Sequence, residues 1–288
     1  MIAVFEREIG AYFKGVPGYL LSAFLLVFAG IYCMAYNLSG YYANFEYVLS
    51  SIAFIYLIAV PIISMRAVAE EKRQRTDQLL YSLPIRLSDV VLGKYLAMLA
   101  VLAVPTLIMG LYPLVLTRFG TVSLAVAYGA LLAFFLMGAC LLSIGLMISA
   151  LSDSPVSSAV MTLVTLLLLY FMTALASYLP TDGATSLIAL CVLAVIFALI
   201  VHALTKNPII AVLVCAGAVG GLLWWYQADA AAFAGLFTDM LTAVSVFDRF
   251  DAFVEGVFDL TAVVYWLSVT AVCLFLTVQA MEKRRWSE

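Results

Sequence analysis

Apolar and polar positions along this chain are grouped on the scale of a bilayer. Eight apolar runs of about 20 residues recur, approximately at 16–36, 46–65, 93–116, 124–150, 156–178, 185–204, 208–226 and 262–281. A hydrocarbon core of about 30 Å takes about 20 residues of helix. Lipid offers no partner to free backbone groups, so long apolar runs cross it as helices. The pattern predicts an all-α polytopic membrane protein with about eight transmembrane helices, forming one transmembrane domain over residues 1–288.

Three segments interrupt the runs. Residues 1–15 place Ile2, Phe5, Ile9 and Tyr12 at helical spacing, with Val16 following, and predict an amphipathic helix in the interface. Glu6, Arg7, Glu8 and Lys14 in the same stretch argue against a cleavable signal peptide. Residues 66–92 are charged and predict a short cytoplasmic helix with Leu79, Leu80 and Leu83 on one face, stopped at Pro84. Ser88 is expected to N-cap the helix that follows. Residues 227–261 predict an outer interfacial helix with a Phe247, Phe250, Val254 and Val257 stripe.

Composition and charge sharpen this picture. With 66% hydrophobic and 11% charged residues and a mean hydropathy of +1.14, too few charges are present to wet the surface of a soluble globule. With the N-terminus in the cytoplasm and eight spans, twelve of the 14 Lys and Arg fall inside; only Arg118 and Arg249 fall outside. Both termini are then cytoplasmic. The five cysteines lie in apolar runs without a CxxC pair and read as packing residues. The lone His202 gives no metal centre, and no nucleic-acid partner is expected. Glu46 and Lys94 sit only at span edges, which argues against an ion-driven carrier. Gly93-Lys94 is followed by Tyr and lacks a phosphate loop's first glycine, so the chain shows no nucleotide site of its own.

The segment Glu70, Glu71, Lys72, Arg73, Thr76, Leu79, Leu80, Pro84, then Gly93 and Lys94, resembles the coupling region of ABC-2 type permeases, especially the gliding-motility and nitrous-oxide-related branch. Where that family often carries Gly before the Thr, this chain has Arg75. Residues Arg249, Phe250, Phe253, Gly256, Asp259, Tyr265, Leu267 and Ser268, with Lys283 to Trp286, are similar to the last outer helix and last span of the same branch. The resemblance implies a bacterial plasma-membrane exporter subunit, not itself an enzyme. ATP and Mg would be bound by a separate ABC ATP-binding subunit. That subunit would dock on Glu70, Glu71, Arg73, Thr76, Leu79, Leu80, Leu83 and Pro84. A second contact is expected at Asp153 and Pro155, in the Ser-Asp-Ser-Pro turn between spans 4 and 5. A second permease copy or paralogue completes the complex, and an accessory membrane protein is left open. Gly217 and Gly221 have the small-xxx-small spacing of close helix packing, within the subunit or across a dimer seam. From the residues alone, a secondary transporter or channel, or a membrane-embedded enzyme or assembly factor, remain as alternatives.

Overall fold

The computed structural model describes residues 1–40, 42–76, 86–205, 208–229 and 233–287. The chain opens with α1 (Ile2–Lys14) and α2 (Pro17–Tyr32), the latter running on into a π-helical turn over Cys33–Ser39. Next come α3 (Glu46–Ile52), a 3₁₀ turn at Ala53–Ile55, α4 (Tyr56–Ser64) and the short α5 (Ala69–Arg73). They are followed by α6 (Leu87–Met109), α7 (Leu111–Leu116), α8 (Leu124–Leu151) and α9 (Pro155–Ser177). The remainder is α10 (Gly183–Thr205), α11 (Pro208–Ala228), α12 (Leu236–Val244), α13 (Asp251–Val254) and α14 (Leu260–Ser287).

Among the described residues, six helical stretches are long and apolar enough to cross a membrane: Pro17–Ser39, Glu46–Arg73, Leu87–Leu116, Leu124–Leu151, Pro155–Ser177 and Leu260–Arg284. Two shorter apolar stretches, Gly183–Leu199 and Val212–Ala228, stand where the sixth and seventh runs are expected. The all-α polytopic reading therefore holds, with six full-length candidate spans and two shorter apolar stretches among the described residues at the eight expected places.

The chain divides into two compact units, Met1–Leu168 with Arg249–Glu288, and Leu169–Asp248. In the first, α8 is the central rod. Some 78% of its most apolar window is buried, against 22% for Leu260–Arg284, so the latter presents most of its surface outward. Helices α3, α4, α6 and α14 pack around α8. Glycine makes that approach possible at two places. A Cβ on Gly138 would lie 2.6 Å from the Tyr56 hydroxyl oxygen, and one on Gly145 would lie 2.5 Å from Ser64 Oγ. The Tyr56 hydroxyl donates to Phe134 O at 3.0 Å, and Tyr95 donates to Ala139 O at 3.1 Å. Between apolar rods in lipid, such contacts and close packing replace the hydrophobic drive.

Two details differ from expectation. Helix α6 starts at Leu87 with Arg86 at the N-cap, so Ser88 lies in the first turn and is exposed. Asp89 in that turn complements the helix dipole instead. Near α13 the apolar stripe is Phe250 and Phe253, both buried, whereas Val257 is exposed. Phe250 meets Phe134, and Phe253 stacks on Trp266 at 5.8 Å. Aromatic partners on α8 and α14 select which residues turn inward.

The second unit is built on α10 packed against α11. Phe233 is buried between Trp225 and Tyr226, and Gly235, at φ 79, donates its backbone N–H to Thr181 O. All five cysteines are free thiols.

Candidate functional site

One cluster of charged residues in the first unit joins α1, α5 and the start of α6. Gly93 begins the arrangement. A Cβ there would lie 3.0 Å from Val4 Cβ and 3.1 Å from Met1 O, a tight fit that glycine relieves where α1 crosses α6. The next residue, Lys94, is 2% exposed, and its Nζ lies 2.9 Å from Glu8 Oε1 and 2.9 Å from Glu71 Oε1. Arg7 Nη2 closes the ring at 2.6 Å from each of the same two oxygens. Two cations and two carboxylates thus join α1, α5 and α6. Burial pushes the Glu8 carboxyl up, but the Lys94 charge and hydrogen bonds from Arg7 and Lys94 outweigh it and hold the group below its ordinary value. Burial by contrast lowers Arg7, but Glu8 and Glu71 outweigh it and hold the guanidinium above its ordinary value. Tyr12 adds a neutral tie from α1 by donating to Ile63 O at 3.2 Å.

The opposite side of α5 is fixed to α8. Ser149 Oγ accepts the backbone N–H groups of Val68 and Ala69 at 3.2 and 3.1 Å, capping donors that α5 itself leaves unpaired. Lys72 donates to Ala150 O and to Ser152 O, the latter at 3.3 Å. A cation on the last carbonyls of a helix is favoured by its dipole. Consecutive residues, Glu71 and Lys72, therefore grip two separate sets of helices.

Helix α5 ends in a left-handed turn. Arg75 N–H donates to Lys72 O at 3.1 Å and Thr76 N–H to Glu71 O at 3.0 Å, the paired bonds of a Schellman motif. The residue at its left-handed position is Arg75, at φ 55. A side chain there costs roughly 1 kcal/mol relative to glycine.

Of the residues singled out from sequence, Glu71 lies in the ion cluster and Thr76 in the closing turn. Glu70 accepts from Gln74 Nε2 at 2.6 Å, and Arg73 is exposed. Leu79, Leu80, Leu83 and Pro84 lie outside the described residues, as does the His202 side chain. Asp153 is exposed and pairs with Arg284 at 3.2 Å, and Pro155 is the first residue of α9, whose Ser157 N–H is capped by Ser154 Oγ. On α11, a Cβ at Gly217 or Gly221 would meet nothing within 4 Å. Gly217→Ala and Gly221→Ala are accordingly expected to leave the thermal midpoint of the detergent-solubilised monomer unchanged or to raise it slightly, since helix propensity favours Ala by about 1 kcal/mol. A marked drop would show those glycines to be packed. The members missed from sequence are Glu8 and Arg7, which figure there only among the charges that argue against a signal peptide.

The model of the ABC-2 family transporter protein matches residues 31–205, more than half of the chain. The chain belongs to the ABC-2 family of transporter proteins. No curated protein and no solved structure matches it. ABC-2 permeases are the transmembrane subunits of their transporters and carry no nucleotide-binding domain, and this chain is such a multi-pass subunit. The matched span contains α5 and the Lys94 pin, whereas Arg7 and Glu8 precede it.

Proposed function

We propose that this ABC-2 subunit is the force-receiving half of a bacterial plasma-membrane exporter. In this reading a separate ATP-binding subunit docks on residues 66–92 from the cytoplasm, where both termini also lie. The observation that carries the reading is the double anchorage of α5. Glu71 ties it to α1 and α6, and Lys72 ties it to the end of α8. A displacement of the docked segment then moves an interfacial helix and two membrane rods together, without chemistry in this chain. Asp153, exposed beside Arg284, suits a second, smaller contact, whereas its expected companion Pro155 is buried at the start of α9. Residues 1–15 act as the elbow helix, 227–261 as the outer segment, and 1–288 as one permease working beside a second copy or paralogue.

The twelve-to-two placement of Lys and Arg supports the sidedness, and the residues quoted for the gliding-motility and nitrous-oxide-related branch support that assignment. The test is co-expression with an ABC ATP-binding subunit from the same genome. Leu79→Asp with Leu80→Asp is expected to abolish co-purification and the stimulation of ATP hydrolysis, because two charges cannot enter an apolar cleft unpaired. Undiminished assembly and coupling in the double variant would count against docking there.

A further inference from the structure

We propose that Arg73, Arg75 and Arg86 form a basic rim that receives acidic side chains of the ATP-binding subunit. The inference rests on the docking reading above and adds the chemistry of the partner's surface.

The charges of the segment are sorted by depth. Glu71 is turned inward onto Lys94 and Arg7, and Lys72 onto the last carbonyls of α8. Glu70 is half-buried and held by Gln74, and Asp89 is half-buried in the first turn of α6. Arg73, Gln74, Arg75 and Thr76 are all exposed, and Arg86 is exposed where the described chain resumes. Among the described residues, none of these three arginines has an ion pair or side-chain hydrogen bond. The acidic charge of α5 is spent internally, as is the charge of Lys72, whereas Arg73 faces outward.

The backbone supplies a second, independent observation. Arg75 occupies the left-handed position of the turn, at φ 55, where glycine fits best. Among the described residues, no ion pair or side-chain hydrogen bond of Arg75 offsets this conformation. An exposed guanidinium held on a strained backbone points to a use at an interface. Arg75 precedes residues 77–85 and Arg86 follows them, so the basic groups flank both ends of the segment assigned to docking. A guanidinium fork binds a carboxylate in two parallel hydrogen bonds, giving geometry as well as charge. Anionic lipid headgroups would satisfy the same charge, but flanking the docking segment on both sides favours carboxylates on the protein that docks.

The experiment uses the full chain co-expressed with its ATP-binding subunit and purified in neutral detergent. Reversal of all three, Arg73→Glu, Arg75→Glu and Arg86→Glu, is expected to weaken the complex by about a hundredfold, because like charge then faces like charge. Arg75→Gly is expected to weaken it about fivefold while leaving the chain's thermal midpoint equal or higher. Raising salt is expected to loosen the wild-type complex but not the triple variant. The inference is overturned if Arg75→Gly binds as tightly as wild type, or if the triple variant assembles normally. It is also overturned if reversal only releases the chain from phosphatidylglycerol vesicles while the complex persists. If the wild-type chain binds no ATP-binding subunit at all, the docking reading fails and this inference with it. A complex lost in Leu79→Asp with Leu80→Asp but kept in the triple reversal sinks the rim alone.

Discussion

Lys94→Met should lower the stability of the protein by roughly 3–5 kcal/mol, the cost of removing one partner from a buried ion cluster. The lysine is 2% exposed and bracketed by Glu8 and Glu71 at 2.9 Å each. Without it, two carboxylates share the single guanidinium of Arg7, which is itself half in solvent and contributes less. Thermal unfolding of the detergent-solubilised protein measures the loss. A second variant separates charge from packing. Lys94→Met combined with Glu71→Gln restores one cation to one carboxylate, and it should recover more than half of the lost stability. If the double variant is no better than the single, the cluster is not what holds the three helices. A loss under about 0.5 kcal/mol in the single variant, the range of an ordinary surface substitution, would sink the idea outright.

The second large effect is expected at Gly138 and Gly145, which lie seven residues, about two turns, apart on α8. A Cβ at Gly145 would stand 2.7 Å from Ser64 Cβ and 3.2 Å from Val60 Cγ1. At Gly138 it would stand 2.7 Å from the Tyr56 ring carbon bearing the hydroxyl and 2.8 Å from Leu102 Cδ2. Real Cβ atoms do not approach that closely, so Ser64 on α4 must move away from α8 at Gly145, and the Tyr56 and Leu102 side chains must shift at Gly138. Alanine at either site should cost about 1–3 kcal/mol through overpacking, despite its better helix propensity. Valine should prevent recovery of folded protein. Thermal midpoints that stay level with wild type for both alanine variants would refute this packing.

These sites show what a linear reading can and cannot reach. Span length carries its own signal, because lipid demands a fixed run of apolar residues. Six of the expected runs are full-length helices at nearly the expected places. Gly217 and Gly221 drew attention through their spacing, yet the approach of helices is governed by Gly138 and Gly145, whose partners Tyr56 and Ser64 sit on another rod. A single glycine in an apolar run has no local mark of what it faces. The ion cluster has the same character. Glu8 and Lys94 are 86 positions apart, and only the fold makes them a pair. Gly93-Lys94 was legible through family resemblance, and the geometry supplies its reason: the glycine admits α1 and the lysine fastens it. Ser88 shows the converse. A good N-cap residue was passed over because the helix begins at Leu87.

The grip of α5 through adjacent residues has a consequence for chain length. Neighbouring side chains on a helix diverge by about 100°, so Glu71 and Lys72 reach their separate anchors in one rotational setting only. Adding or deleting one residue between Ser64 and Glu71 would swing both away at once. Past Thr76 no such phase is imposed by these anchors. Natural insertions and deletions should therefore gather beyond that threonine, where the register of α5 does not constrain them.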